Sequence, residues 1–348
     1  MNERLNIIPI IKAAIETVKN HEFSEAGAYC RWLWQNEKND RELGINEYGC
    51  ADAMNILYTV NDFDCDEQTR NARISTLLSL QNSETGMFTE ATHHPIHTTA
   101  HCLGALQLFD VKPLYKLTGL YPYMTKEGLY SLLDGLNWND PWPESHKGAG
   151  IYAALVNSGE ITEDFSKNYF EWMWENANAN TGFWKNGYTE KAPLTSTRYP
   201  NGKESPDAAY SYMAGGFHYL FNHEYAKMPL RYPEKIIDSC IEMYYGNGLP
   251  KSFGKAINFI EVDLVYCLTR ASKKTEHRQS EVVALLEDFA EKYVDYLLSL
   301  DYSTHDGFND LHMLFGSLSA LTELQAALPG KIITEKPLRL VLDRRPFI

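Results

Sequence analysis

Hydrophobic residues along this chain fall into two alternating kinds of stretch. One kind carries apolar side chains on a single helical face. Six such stretches are read: Ile7 to Thr17, Thr69 to Leu80, Thr125 to Leu136, Thr162 to Glu175, Pro233 to Tyr245 and Ser280 to Leu300. In the last, Val282, Leu285, Leu286, Phe289, Tyr293, Tyr296, Leu297 and Leu300 keep the three-four spacing of one face, with Glu287, Asp288, Glu291 and Lys292 opposite. The other kind is apolar nearly all round. These stretches begin near Cys50, His97, His146, Ala208, Asn258 and Asn309, at intervals of 47, 49, 62, 50 and 51 residues. A helix that is apolar on every side must be covered on every side, so six covered helices should alternate with six surface ones. No segment keeps period-two alternation with turn chemistry, which argues against a sheet core. The tail from Pro329 to Ile348 breaks the pattern and is expected to be an extended strap with a short strand.

Two loops repeat one another. Asn82-Ser-Glu-Thr-Gly-Met-Phe88 and Asn178-Ala-Asn-Thr-Gly-Phe-Trp184 stand 96 residues apart, two periods of the helical pattern. Helix boundaries carry the expected chemistry. Pro233 suits a first turn, and Thr162 followed by Glu163 and Asp164 supplies a cap and acids that favour a helix start.

Composition narrows the classes. With 348 residues, 44% hydrophobic and 22% charged, the chain has ordinary globular composition. The 32 Lys+Arg against 46 Asp+Glu give a net charge of −14, which argues against a polyanionic nucleic-acid partner. No apolar run approaches the ~20 residues of a membrane span, and residues 1–19 lack the order of features of a signal peptide, so a cytoplasmic location is expected. The six cysteines are scattered without C-x-x-C and are expected to be free thiols. Asp62-Phe-Asp64-Cys-Asp66-Glu67 lacks the glycine and twelfth-position acid of a calcium loop and is expected to be a solvated turn. Aromatic content is high, at 13% with 22 Tyr and 7 Trp.

This pattern resembles the (α/α)6 toroid of many glycoside hydrolases, unsaturated glucuronyl hydrolases among them, and of polysaccharide lyases. The resemblance spans nearly the whole chain as one domain, 1–348, with six inner and six outer helices and an extended C-terminal strap. It implies a fold more than a function. In an outer-then-inner order, all six inner helices would start at one rim, where helix N-termini favour anionic or polar ligands. The connection from Asn178 to Asp207 is long enough to be a lid or cleft wall.

The polar inventory points to that rim. Eight of the eleven histidines, His93, His94, His97, His101, His146, His218, His305 and His312, fall on these loops or inner helices. The expected activity is glycan processing, first of all glycoside hydrolysis on a uronic-acid-containing or other oligosaccharide. Asp52 and Glu144 would be the acid and base, with His97, His101 and His146 orienting groups of the substrate. Trp142, Trp184, Arg198, Tyr210, Asp263, Asp310 and His312 are the expected substrate contacts. No cofactor motif is present. His97 and His101 stand four apart, but without the adjacent Glu of a zincin no metal site is assigned. Other readings remain: a polysaccharide lyase using His and Tyr, a terpene cyclase or prenyltransferase, a zinc cyclase built on His101-Cys102 with Cys50 and Cys267, or a non-catalytic binding toroid. The acidic D-x-D-D and D-D-x-x-D motifs of terpene cyclases are absent from the rim.

Overall fold

The computed structural model describes residues 4–185 and 208–347. The described chain is mostly helical. Its α-helices are α1 (Ile8–Asn20), α2 (Glu47–Thr59), α3 (Glu67–Ser79), α4 (Pro95–Gln107), α5 (Lys126–Asp134), α6 (Pro141–Gly148), α7 (Gly150–Ser158), α8 (Glu163–Glu175), α9 (Ala208–Ala226), α10 (Pro233–Tyr245), α11 (Ile260–Ser272), α12 (Gln279–Leu298), α13 (Asp306–Asn309) and α14 (Leu311–Ala327). The only strands among the described residues, β1 (Leu5–Asn6) and β2 (Ile332–Ile333), pair in parallel and fasten the strap to the first residues. No described helix is long and apolar enough to cross a membrane.

The two kinds of helix match the two kinds of stretch. Along α2, α4, α11 and α14 nearly every position is buried, whereas α3 buries only Ile74 and Leu77 and α5 only Leu129 and Leu133. The buried helices touch in chain order. α2 packs on α4, α4 on α7, α6 on α9, α9 on α11, and α11 on α14; α14 then packs on α2. The third buried stretch, expected as one helix, is two, α6 and α7, broken at Ala149.

Caps set where these helices start. Asn46 accepts from the amides of Tyr48 and Gly49 at the head of α2, and Asp310 accepts from His312 and Met313 at the head of α14. Asp66, from the calcium-like run, caps α3 through Thr69 N–H at 2.8 Å.

The strap ends among the buried helices. Arg339 N–H donates to Thr59 O, Asn222 donates to Pro346 O, and Arg345 donates to Asn55 Oδ1 at 2.6 Å. Phe347 is fully buried, with ring centroids 5.0 Å from His97 and 5.3 Å from His218.

The repeated loops share one geometry. Asn82 Oδ1 accepts from Glu84 and Thr85 N–H, and Asn178 Oδ1 accepts from Asn180 and Thr181 N–H. Each loop then closes on a left-handed glycine, Gly86 at φ +71° and Gly182 at φ +80°. A Cβ on Gly86 would stand 2.0 Å from Lys116 O, and one on Gly182 would stand 2.5 Å from Ile236 N. Gly330, also left-handed at φ +82°, faces open space. We predict that Gly86→Ala and Gly182→Ala each lower stability by about 2–4 kcal/mol, against about 1–2 kcal/mol for Gly330→Ala. Urea denaturation checks this, and equal losses at all three positions would refute the backbone contacts as the cause.

Candidate functional site

Residues from several of the buried helices line a cavity of about 270 Å³. Its wall includes His93 before α4, His97 on α4, Trp142 and His146 on α6, His218 on α9, Asp263 on α11 and His312 on α14. The site rests on two helix rungs. On α2, Tyr48 and Asp52 stand four apart and share a face; on α4, His97 and His101 do the same. The Tyr48 hydroxyl is hydrogen-bonded to His97 Nδ1, and His101 Nε2 to Asp52 Oδ1 at 2.8 Å. The H-x-x-x-H pair is therefore divided, one imidazole facing the cavity and the other the core.

Asp52 is fully buried, and its second oxygen meets His312 Nδ1 at 3.0 Å. Burial alone would raise this carboxyl, but the two imidazoles hold it far below the usual carboxylate range. An ionised Asp52 only accepts, so both imidazoles present N–H to it. That fixes the tautomer of His312 and leaves its Nε2 as a lone pair in the cavity wall. Burial presses His312 down to about 3, against the pull of Asp52, so the ring stays neutral. Arg345 adds the neighbouring positive charge; burial lowers its guanidinium to about 10, opposed by Asp52.

A second carboxylate and imidazole pair lies beside the first. Glu90 Oε1 meets His93 Nδ1 at 3.0 Å and also accepts from Thr92. Burial would raise Glu90, but these bonds hold it near 2. The rings of His93 and His312 stand edge to face with centroids 5.2 Å apart. The cavity thus presents two imidazoles, each backed by an ionised carboxylate, within reach of one small ligand.

The remaining expected residues divide. His97, His146, Trp142, Asp263 and His312 line the cavity. Tyr210 is buried edge-on against Trp142, centroids 5.4 Å apart. Glu144 is not in the wall; it bonds Lys147 Nζ at 2.7 Å and accepts from Asn137 N–H. Asp310 caps α14 and takes Arg31 bidentately at 2.8 and 3.1 Å. Trp184 is core, donating to Met173 O at 3.0 Å, and Lys185 is tied to Asp134 at 2.6 Å. Arg198 and most of the long connection, 186–207, lie outside the described residues. Sequence reasoning missed Tyr48, Arg31, Arg345 and Phe347. The Tyr48 and Asp52 spacing carried a signal, since Tyr48 to His97 and Asp52 to His101 both span 49 residues. All six cysteines are free.

No family model, curated protein or solved structure matches this chain.

Two residues before Asp263 on α11, Glu261 is fully buried and accepts the Gly254 N–H at 2.9 Å. Burial pushes its carboxyl up to about 8, against the pull of that bond, from an unfolded value of 4.5. Between those values the folded chain holds a proton that the unfolded chain loses. Stability should therefore fall as pH rises through this window, by up to about 1.4 kcal/mol per pH unit. Glu261→Gln keeps an acceptor for Gly254 and should flatten that fall. Urea midpoints at about pH 5 and about pH 8 check it, and parallel pH slopes for the two proteins would refute it.

Proposed function

We propose that the alternating helices form an (α/α)6 toroid and that the chain is a glycan-processing enzyme acting on uronic-acid-containing saccharides. The closed succession of buried helices, α14 back onto α2, supports the toroid. The observation that carries the enzyme reading is His312, held by buried Asp52 with its free nitrogen facing a cavity that His93 shares. A carboxylate behind an imidazole fixes its tautomer and stabilises it when it takes a proton. The cavity lies near the small end of ligand sites, roughly 300–1,000 Å³, which suits the end of a saccharide better than its middle.

This arrangement favours elimination over the carboxylate-pair hydrolysis expected from Asp52 and Glu144. Asp52 is sealed behind two imidazoles, and Glu144 turns to Lys147. In elimination, His312 Nε2 takes the proton from the carbon next to the uronate carboxylate. The bond from the neighbouring carbon to the glycosidic oxygen then breaks, and its electron pair leaves with that oxygen. A carbon–carbon double bond forms, and the leaving oxygen takes the Nε2 proton of His93, which enters the step as the imidazolium paired with ionised Glu90 and leaves it neutral. Trp142 offers a flat face in the wall for the sugar ring. Asp263, the carboxylate in the wall, supports a second reading as the general base of a hydrolase.

One assay tests both. On a panel of uronic-acid oligosaccharides, elimination yields new reducing ends together with ultraviolet absorbance from the new double bond. We expect His312→Gln to lower kcat by about 10²–10⁴-fold, while Glu144→Gln leaves it within about twofold. Reducing ends without absorbance would move the assignment to hydrolysis through Asp263. No turnover and no binding across the panel would end the glycan reading.

A further inference from the structure

The cavity brings together three imidazoles that the acid–base reading does not use. One ring nitrogen from each of His97, His146 and His218 lies within 4.8 Å of the others. The ring centroids stand 4.2 Å apart for His97 and His146, 5.1 Å for His146 and His218, and 6.0 Å for His97 and His218. They come from three helices, α4, α6 and α9, and all three line the cavity.

Their other contacts aim them. Ser145 Oγ donates to Trp142 O at 2.5 Å, so its hydroxyl proton is already committed. The 2.9 Å contact between Ser145 Oγ and His218 Nδ1 must then be an Nδ1–H donated by histidine. This leaves the His218 Nε2 lone pair bare. His97 is also held through Nδ1, by the Tyr48 hydroxyl, and its Nε2 is the nitrogen left for a ligand. Imidazoles anchored through one nitrogen and presenting the other are how proteins prepare metal ligands.

We propose that His97, His146 and His218 bind a divalent transition metal of the zinc type, with a fourth position open to the cavity. Three protein nitrogens and one open position are the ligand set of catalytic rather than structural zinc. Tetrahedral zinc, with bonds of about 2.0–2.1 Å, holds its ligand atoms about 3.4 Å apart, and side-chain rotation closes the remaining gap. The second cluster, Asp52, His101 and His312, is a poorer cage. Its carboxylate oxygens are already filled by imidazole N–H groups at 2.8 and 3.0 Å, and Asp52 and His101 are sealed from the cavity. The ion's task, which rests on the uronate reading above, is to hold the substrate carboxylate and neutralise the charge that builds when the adjacent carbon loses its proton. The existence of the site does not depend on that reading.

The test is metal binding by the full chain, stripped with a chelator and titrated with Co²⁺ and then Zn²⁺. We expect one Co²⁺ per chain with the intense visible bands of a tetrahedral ion, displaced by Zn²⁺. His146→Gln and His218→Gln should weaken Co²⁺ binding by more than about 100-fold, beyond the loss of an outer partner. His146 is only half-buried, so its variant should fold, and circular dichroism verifies that. His312→Gln should keep the metal while losing turnover. A folded wild-type chain that takes up neither ion overturns the site, as does full Co²⁺ affinity in His146→Gln or loss of the ion in His312→Gln alone. Stoichiometric Co²⁺ with no glycan turnover leaves the site standing and removes only the uronate reading.

Discussion

A carboxylate removed from water must be neutralised by what surrounds it, and the centre of this molecule is arranged around that requirement at Asp52. Desolvating an anion costs several kcal/mol unless donors and opposite charge replace the lost water. Here His101 on α4 and His312 on α14 supply both donors, and Arg345 from the strap supplies charge. One side chain on α2 therefore ties the helices on either side of it and the end of the chain. The same contacts decide which nitrogen of His312 is bare. The interaction that stabilises the core and the one that fixes the His312 tautomer are a single set of hydrogen bonds.

Electrostatics also explain why so many imidazoles stand together. Six of them, His93, His97, His101, His146, His218 and His312, form a continuous set of ring contacts. Burial holds His97, His218 and His312 neutral. Neutral imidazoles can crowd without repulsion, and a neutral imidazole is both a base and a metal ligand. A cluster of carboxylates at the same spacing would carry like charges that cannot all ionise. The chemistry open to this cavity is thus set by nitrogen rather than oxygen.

Much of the architecture was legible because it depends on local patterning. All-round apolarity marked α2, α4, α9, α11 and α14, and one-sided apolarity marked α1, α8, α10 and α12, to within a few residues at their ends. The twin loops were legible because Asn, Thr and Gly are required by the turn itself. The site was legible only in part. His97, His146 and His312 could be placed on the rim from helix position, but pairing is a three-dimensional fact. Nothing local shows that Asp310 belongs to Arg31, 279 residues away, or Asp52 to His312, 260 away. Nor does local pattern show that Trp184 turns to the core while Trp142 lines the cavity. The strap was legible as an extended segment, but the interior partner of Arg345, Asn55, lies 290 residues away.

That strap also makes part of the cavity wall depend on distant sequence. Phe347 lies against His97 and His218, and Arg345 reaches the Asp52 carboxylate's surroundings from the chain's other end. All the described α-helices precede these residues in the chain. The ring contacts of His97 and His218 with Phe347 therefore join residues more than a hundred positions apart in the chain. Two imidazoles of the cavity wall thus owe part of their packing to the strap, and shortening it before Phe347 would leave those ring faces uncovered.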